Sequence, residues 1–353
     1  MTTSWRSRPA TANDGAAITR LFEEIFHERQ TIAHWKWKYA ENATNMMCIV
    51  VAEDNQHIVG QCALLPTWMN LRGARILGAQ RVDSMVHPDY RQQGMFAALA
   101  KDCYALASAQ GIKLMYHFPN EQSYPVSVKQ LGSDYVGELV PLVKILNPRA
   151  VIQRKFRSAR VAWIGGKLLQ FLLALRESRT GPSQSEPFTI NKITACDERF
   201  DLLWLTVKDH FPIAVWKDSS YLNWRYLSCP DREYSVLAAE SPSGVVGFIV
   251  VRFEEGPIKR GYIVDYLFAP DKPAVASRLI AAGLDYLHEH HADIVICRTL
   301  GHSPYYRLFV RRGFIKHGEH LGLLARPLAL DLPSDTISDF KNWHLAAGDV
   351  DVF

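Results

Sequence analysis

Apolar residues fall into short runs broken by turn-forming residues along most of the chain, the patterning of a mixed α/β protein. The run Cys48-Ile49-Val50-Val51-Ala52-Glu53 meets a turn at Asp54-Asn55 and then an apolar run from Ile58 to Leu65, which predicts a hairpin. Ser235 to Glu240, a turn at Pro242-Ser243-Gly244 and Val245 to Arg252 predict another. Trp37-Lys38-Tyr39 precedes the first hairpin and Trp224-Arg225-Tyr226 the second. After each comes a strand with Val-Asp near its middle, Val82 to Asp89 and Val264 to Asp271, then a helix-like segment and another apolar strand. These following strands are Ile112–Phe118 and Ala292–Thr299, and each half continues through a helix to a glycine, Gly132 or Gly313, and a final strand. Three matches in register mark an internal duplication.

The expected architecture is therefore two tandem α/β (α+β) domains, each a mixed, mostly antiparallel sheet flanked by helices. The predicted division is residues 1–148, a linker over 149–186, a second domain over 187–330 and a tail over 331–353. The linker begins with Arg154, Lys155, Arg157 and Arg160 and turns apolar from Val161 to Leu175. Such a helix packs between domains or lies on an anionic membrane surface, so peripheral membrane contact stands as an expectation. Forty basic against 36 acidic residues leave a net charge of +4, too weak to point to nucleic acid. Six scattered cysteines without a Cys-x-x-Cys pair fit a reducing, cytoplasmic setting, and nothing in the sequence has metal-ligand spacing. His288, His290 and His291 read as a solvated helix end.

The stretch VHPDYRQQGMFAAL, Val86 to Leu99, carries the first candidate chemistry. A strand that feeds a helix through a glycine-bearing loop leaves the first helical N–H groups without intrahelical partners. The helix dipole lies behind those groups and Arg91 beside them, so the amides from Gln92 to Phe96 form an anion site, with Gly94 admitting close approach.

These residues resemble the acyl-CoA-binding motif of the GNAT acetyltransferase superfamily, an Arg or Gln, two residues, Gly, one residue, then Gly or Ala. Arg91 and Gly94 match it, and Phe96 replaces the small last residue. Together with WKY, QRVDSMVHPDYR and FPNEQSYPVSVKQLG, the resemblance covers roughly Glu23 to Gly137. It implies that acetyl-CoA is the co-substrate and that Arg91, Gln92, Gln93, Gly94, Met95 and Phe96 hold its diphosphate. Met85 and Val86 are implied to pair with the pantetheine arm, and Asn120 to contact it. Tyr124 is the implied acid for the departing thiolate, although Pro125 disturbs the spacing. For a general base, Asp83 is the carboxylate nearest in sequence to the implied cofactor strand, with Glu121 and His117 as alternatives.

The second half reads DKPAVASRLIAAGL after Pro270, with a proline in the turn and no glycine at the helix entrance. That copy is expected to have lost the cofactor site. Its Tyr221, Trp224, Arg225, Tyr226, Asp265, His302, Tyr305, Tyr306 and Arg307 either line an acceptor pocket or complete the core. The expected activity is N-acetyl transfer to a primary amine, with an amino sugar or polysaccharide precursor suggested by the resemblance. The alternative is a non-catalytic acyl-CoA sensor or interaction protein on the same scaffold. Aminoacyl transfer from charged transfer RNA is disfavoured by the modest charge and the intact loop.

Overall fold

The computed structural model describes residues 5–151 and 187–351. The predicted linker helix, with its basic start and apolar run, lies outside the described residues. In the first half, β1 (Arg6–Pro9), α1 (Gly15–Phe26) and α2 (Ile32–Tyr39) lead into β2 (Cys48–Asp54), β3 (His57–Leu71) and β4 (Ala74–Val86). Then follow α3 (Met95–Ala109), β5 (Leu114–His117), α4 (Tyr124–Lys129) and β6 (Asp134–Ile145). The second half runs β7 (Thr189–Ile193), α5 (Glu198–Val207), β8 (Ile213–Val215), α6 (Ser219–Leu222), β9 (Ser235–Ser241), β10 (Gly244–Glu254) and β11 (Arg260–Phe268). It continues with α7 (Pro273–Glu289), β12 (Ile294–Leu300), α8 (Pro304–Arg311), β13 (Ile315–Lys316), β14 (Leu321–Pro327), α9 (Ser334–Ser338) and β15 (Trp343–His344).

Alternation along the strands sorts side chains to the two faces of the sheet. Val50, Ala52, Cys62 and Leu64 pack with Leu99, Cys103 and Ala107 of α3, whereas Ile49, Val51 and Ala63 pack with Ile18 and Leu21 of α1 and Trp35 and Tyr39 of α2. The sheet is thus covered by helices on both faces.

The two halves share one sheet. Its strand order is β1-β2-β3-β4-β5-β14-β6-β12-β11-β10-β9-β7. The strand after Gly132, β6, pairs antiparallel with β12 of the second half, and β14, beyond Gly313, fits between β5 and β6. Each half therefore gives its last long strand to the other. β8 adds a further joint by pairing with β3 over Met69–Leu71.

A near-twofold relation between the halves shows in side chains as well. The rings of Trp37 and Trp224 stack at 5.2 Å, and each indole N–H donates to the other residue's carbonyl, at 2.8 and 2.9 Å. One hydrophobic core runs through both halves, from Leu114, Tyr116 and Leu139 to Phe248, Tyr266 and Phe309.

Candidate functional site

β4 and β5 run parallel and pair only over Gly78–Leu114, Ala79–Met115 and Gln80–Tyr116. Past Gln80, β4 continues to Val86 along β3 without a ladder partner on its β5 side among the described residues. Backbone amides and carbonyls on such an edge need partners, and an extended ligand bearing amides supplies them in the manner of an added strand. Met85 and Val86 lie on this stretch.

A bulge sits within it. The register with β3 slips between Gln61–Met85 and Ala63–Val82, so Asp83 and Ser84 oppose the single residue Cys62. Asp83 has φ 41°, a left-handed conformation that Asp tolerates better than most residues. Gln61 Nε2 donates to the Asp83 carbonyl at 3.0 Å. The Asp83 carboxylate accepts from Tyr39 Oη at 2.6 Å and Lys38 Nζ at 2.8 Å. Burial acts to raise its pKa, but the ammonium and the phenol outweigh that and hold it below its usual range. Lys38 Nζ also lies 2.6 Å from Asp351.

Beyond β4 a short helical turn, Pro88–Tyr90, leads to α3. Gly94 is its N-cap with φ 78° and ψ −1°, and Gln92 before it has φ 61°. Ala98 N–H to Gly94 O is the first bond of the helix, so the amides of Gly94 to Ala97 precede it. Arg91, Gln92, Gln93 and Gly94 are exposed, and a β-carbon on Gly94 would meet no atom within 4 Å. Arg91 Nε donates to Val86 O at 3.1 Å, which ties the loop to the end of the open strand. Met95 points into the core, and Phe96 lies half-buried with its ring 5.5 Å from the Arg81 guanidinium. Arg81 in turn donates to Tyr104 of α3 and Ser127 of α4, both at 2.7 Å. Phe96 thus caps a buried polar tie between two helices, which accounts for a bulky residue at that position.

On the β5 side of the opening, Asn120 Oδ1 accepts from Ser123 N at 2.9 Å. Tyr124 begins α4 with Pro125 in its first turn, a position that suits proline rather than interrupting the helix. Tyr124 is 38% exposed, and Glu121 is exposed in the preceding loop. His117 is buried at the end of β5, and neither ring nitrogen has a hydrogen-bond partner among the described residues.

The corresponding place in the second half is closed. β11 and β12 pair only from Arg260–Ile294 to Ile263–Cys297, yet the space beyond is filled by Tyr266, Phe268, Tyr305 and Phe309. Tyr305 stands eight residues before Gly313, as Tyr124 stands eight before Gly132. It is fully buried, and its hydroxyl donates to Phe268 O at 2.5 Å at the end of β11. Pro273 occupies the first turn of α7. His302 and Tyr305 belong to packing: His302 bonds to Trp343 O.

Between the halves lies a small cavity of about 30 Å³. Trp37, Tyr116, Tyr221 and Trp224 supply aromatic surface, and Asp349 and Asp351 of the tail supply carboxylates. Sequence reasoning left the tail unassigned because no motif marks Asp349-Val350-Asp351. Arg225 Nε and Nη2 hold Gly348 O and Val350 O at 3.2 and 3.4 Å and so fix this segment.

Residues 6–128 match the family model described as an acetyltransferase (GNAT) domain. The match lies within the first half of the chain. No curated protein matches the sequence. Among solved structures, a probable N-acyltransferase from Enterococcus faecalis superposes with a TM-score of 0.64 at 15% identity, covering 92% of this chain and 73% of that one. A GCN5-related N-acetyltransferase from Anabaena variabilis gives 0.64 at 13% identity, covering 93% and 74%. Saccharomyces cerevisiae N-myristoyltransferase with bound myristoyl-CoA gives 0.62 at 12% identity, covering 92% and 83%. The GNAT fold, expected from the motifs of the first half, thus extends over nearly the whole described chain. Among the described residues no helix is long and apolar enough to cross a membrane.

Proposed function

We propose that the protein transfers an acetyl group from acetyl-CoA to a primary amine, with an amino sugar or polysaccharide precursor as the acceptor class. The open β4 edge beside the Gly94 loop carries this reading, because the matching opening in the second half is filled by Tyr305. Residues 1–148 would then hold the donor, while residues 187–330 and the tail from 331 complete the acceptor cavity.

The residues present suit an acyl-CoA. Gly94 to Ala97 and Arg91 would hold the diphosphate, Met85 and Val86 would pair with the pantetheine amides, and Asn120 would stand by the arm. When bound, the thioester supplies an electrophilic carbonyl. The chain's own part is to orient the amine and manage two protons. Asp351 lines the cavity, and burial pushes its carboxyl up to about 6 despite Lys38, a range suited to receiving the amine's proton near neutrality. Asp83, held by Lys38 and Tyr39, acts at one remove by fixing Lys38 and adding negative charge beside Asp351. Tyr124, exposed at the opening, would give its proton to the departing sulfur, while Glu121 stays at the outer edge.

Calorimetry with acetyl-CoA tests the donor site. Wild type should bind, and Gly94→Trp, which fills the open space before the amides, should abolish binding; equal binding by both removes the assignment. Thiol release from acetyl-CoA across a panel of amines tests turnover. Binding without release for any amine makes the protein an acyl-CoA sensor instead.

A further inference from the structure

The cavity between the halves is too small for its proposed occupant. At about 30 Å³ it has room for about two waters, well short of an amine on a carbon skeleton. Trp37, Lys38, Tyr116, Tyr221, Trp224 and Arg225 wall it, and all six are buried. Its half-buried lining residues include His34 of α2 and Arg232, one from each half.

Residues 228–233 cover that side, with Arg232 turned to the cavity. Thr31 Oγ1, which caps α2 by accepting from His34 N at 3.0 Å, lies 3.1 and 3.2 Å from the two oxygens of the Asp231 carboxylate. His34 Nδ1 lies 3.4 Å from one of them. The loop is thus fastened to the first turn of α2 by exposed polar contacts, which water readily replaces. On its outer side it borders a surface hollow of about 520 Å³, in whose wall Trp37 and Trp224 appear again beside Lys36, Ser228 and Pro230. The loop therefore has free space to move into.

Its two ends are held. Trp224 stacks on Trp37, Arg225 holds the tail carbonyls, and Tyr226 donates to Asp265 at 2.7 Å. Tyr234 is buried at the far end, and its ring lies 5.3 Å from that of Tyr226, so the loop leaves and returns at one place. The internal repeat marks the near end further. Trp37-Lys38-Tyr39 lies in an α-helix, whereas Trp224-Arg225-Tyr226 lies in a π-helical turn, Asn223–Leu227, closed by Ser228 N–H on Asn223 O at 2.8 Å. Such turns are rare and gather at functional sites.

We propose that residues 228–233 form a lid over the acceptor cavity, latched to α2 through Asp231 and opening into the outer hollow to admit the amine. The proposal rests on the amine-acylation reading above for what enters.

Two experiments on the full chain read the lid. Cys229 lies in it and is half-buried, while the other five cysteines are buried, so the rate at which DTNB modifies Cys229 reports opening. Thr31→Val removes the latch donor without altering the lid, and labelling should become about fivefold faster, the factor expected of one lost hydrogen bond. One fast thiol rather than six shows that the variant is folded. An unchanged rate overturns the latch. In a Cys229→Ser background, Thr31→Cys with Asp231→Cys puts a disulfide across the same contact. Oxidised and reduced forms of this one protein should bind acetyl-CoA equally by calorimetry. Acetylation of glucosamine, followed by mass, should fall on the order of tenfold or more on oxidation and return on reduction. Equal product from both forms overturns the lid. No product with any amine from the reduced form removes the enzyme reading, and the Cys229 labelling rate then decides the lid alone.

Discussion

At φ 41° in a bulge of β4, Asp83 is fixed both by its backbone and by its partners Lys38 and Tyr39. Its place on the strand that leads to the glycine loop could be read from the string Val82-Asp83-Ser84. Its partners could not, because Lys38 and Tyr39 precede it by more than forty residues, and Arg81, the neighbour in sequence, turns instead to Tyr104 and Ser127. His117, an alternative general base by sequence, is buried at the end of β5, and its burial holds the imidazole well below its ordinary range, with Arg81 adding to the effect. The folded state therefore refuses a proton that the unfolded chain accepts below about pH 6.5. Stability through this group is complete above that value and declines as pH falls. His117→Leu removes the titration, so the variant should lose less of its melting temperature between pH 7.5 and 5 than wild type does. An equal loss in both proteins contradicts the assignment.

Among elements, α3 and α7 descend from the same position in the repeat and differ at their entrances. Glycine with positive φ and a run of amides open α3, whereas proline in the first turn opens α7. That contrast was visible in the residues themselves, because glycine and proline act on the local backbone. The closure of the second opening was not visible. Tyr305 reaches Phe268 O across 37 residues, and only packing of α8 against β11 brings them together. Tyr305→Phe should leave that buried carbonyl without its donor and cost about 1–2 kcal/mol. Acetyl-CoA affinity should be unchanged, since the proposed donor site lies in the other half. Denaturant midpoints and calorimetry on the same preparation check both parts, and a change in affinity would place the donor site wrongly.

For the whole molecule, exchange of β6 and β14 decides how the halves depend on each other. Without the second half, β5 would lose the strand beside it and β6 would lose β12, leaving open edges and a severed core. The full chain should therefore unfold in one denaturant transition by fluorescence and circular dichroism alike. A fragment of residues 1–148 should fail to give dispersed amide resonances. Two separated transitions, or a well-folded fragment, would show that the halves stand alone.

The sequence by itself determined the duplication, the α/β class and the half in which a strand opens onto a glycine-led helix. Those features depend on periodicity and on residues that constrain their own backbone. Tertiary structure alone decided which strands were exchanged, how the second opening was filled, and that the tail brings Asp349 and Asp351 to Lys217 and Lys38. The physical reason is the same in each case. Strand pairing and buried ion pairs are chosen by burial and charge balance among segments remote in the chain, and local patterning leaves several such pairings equally open.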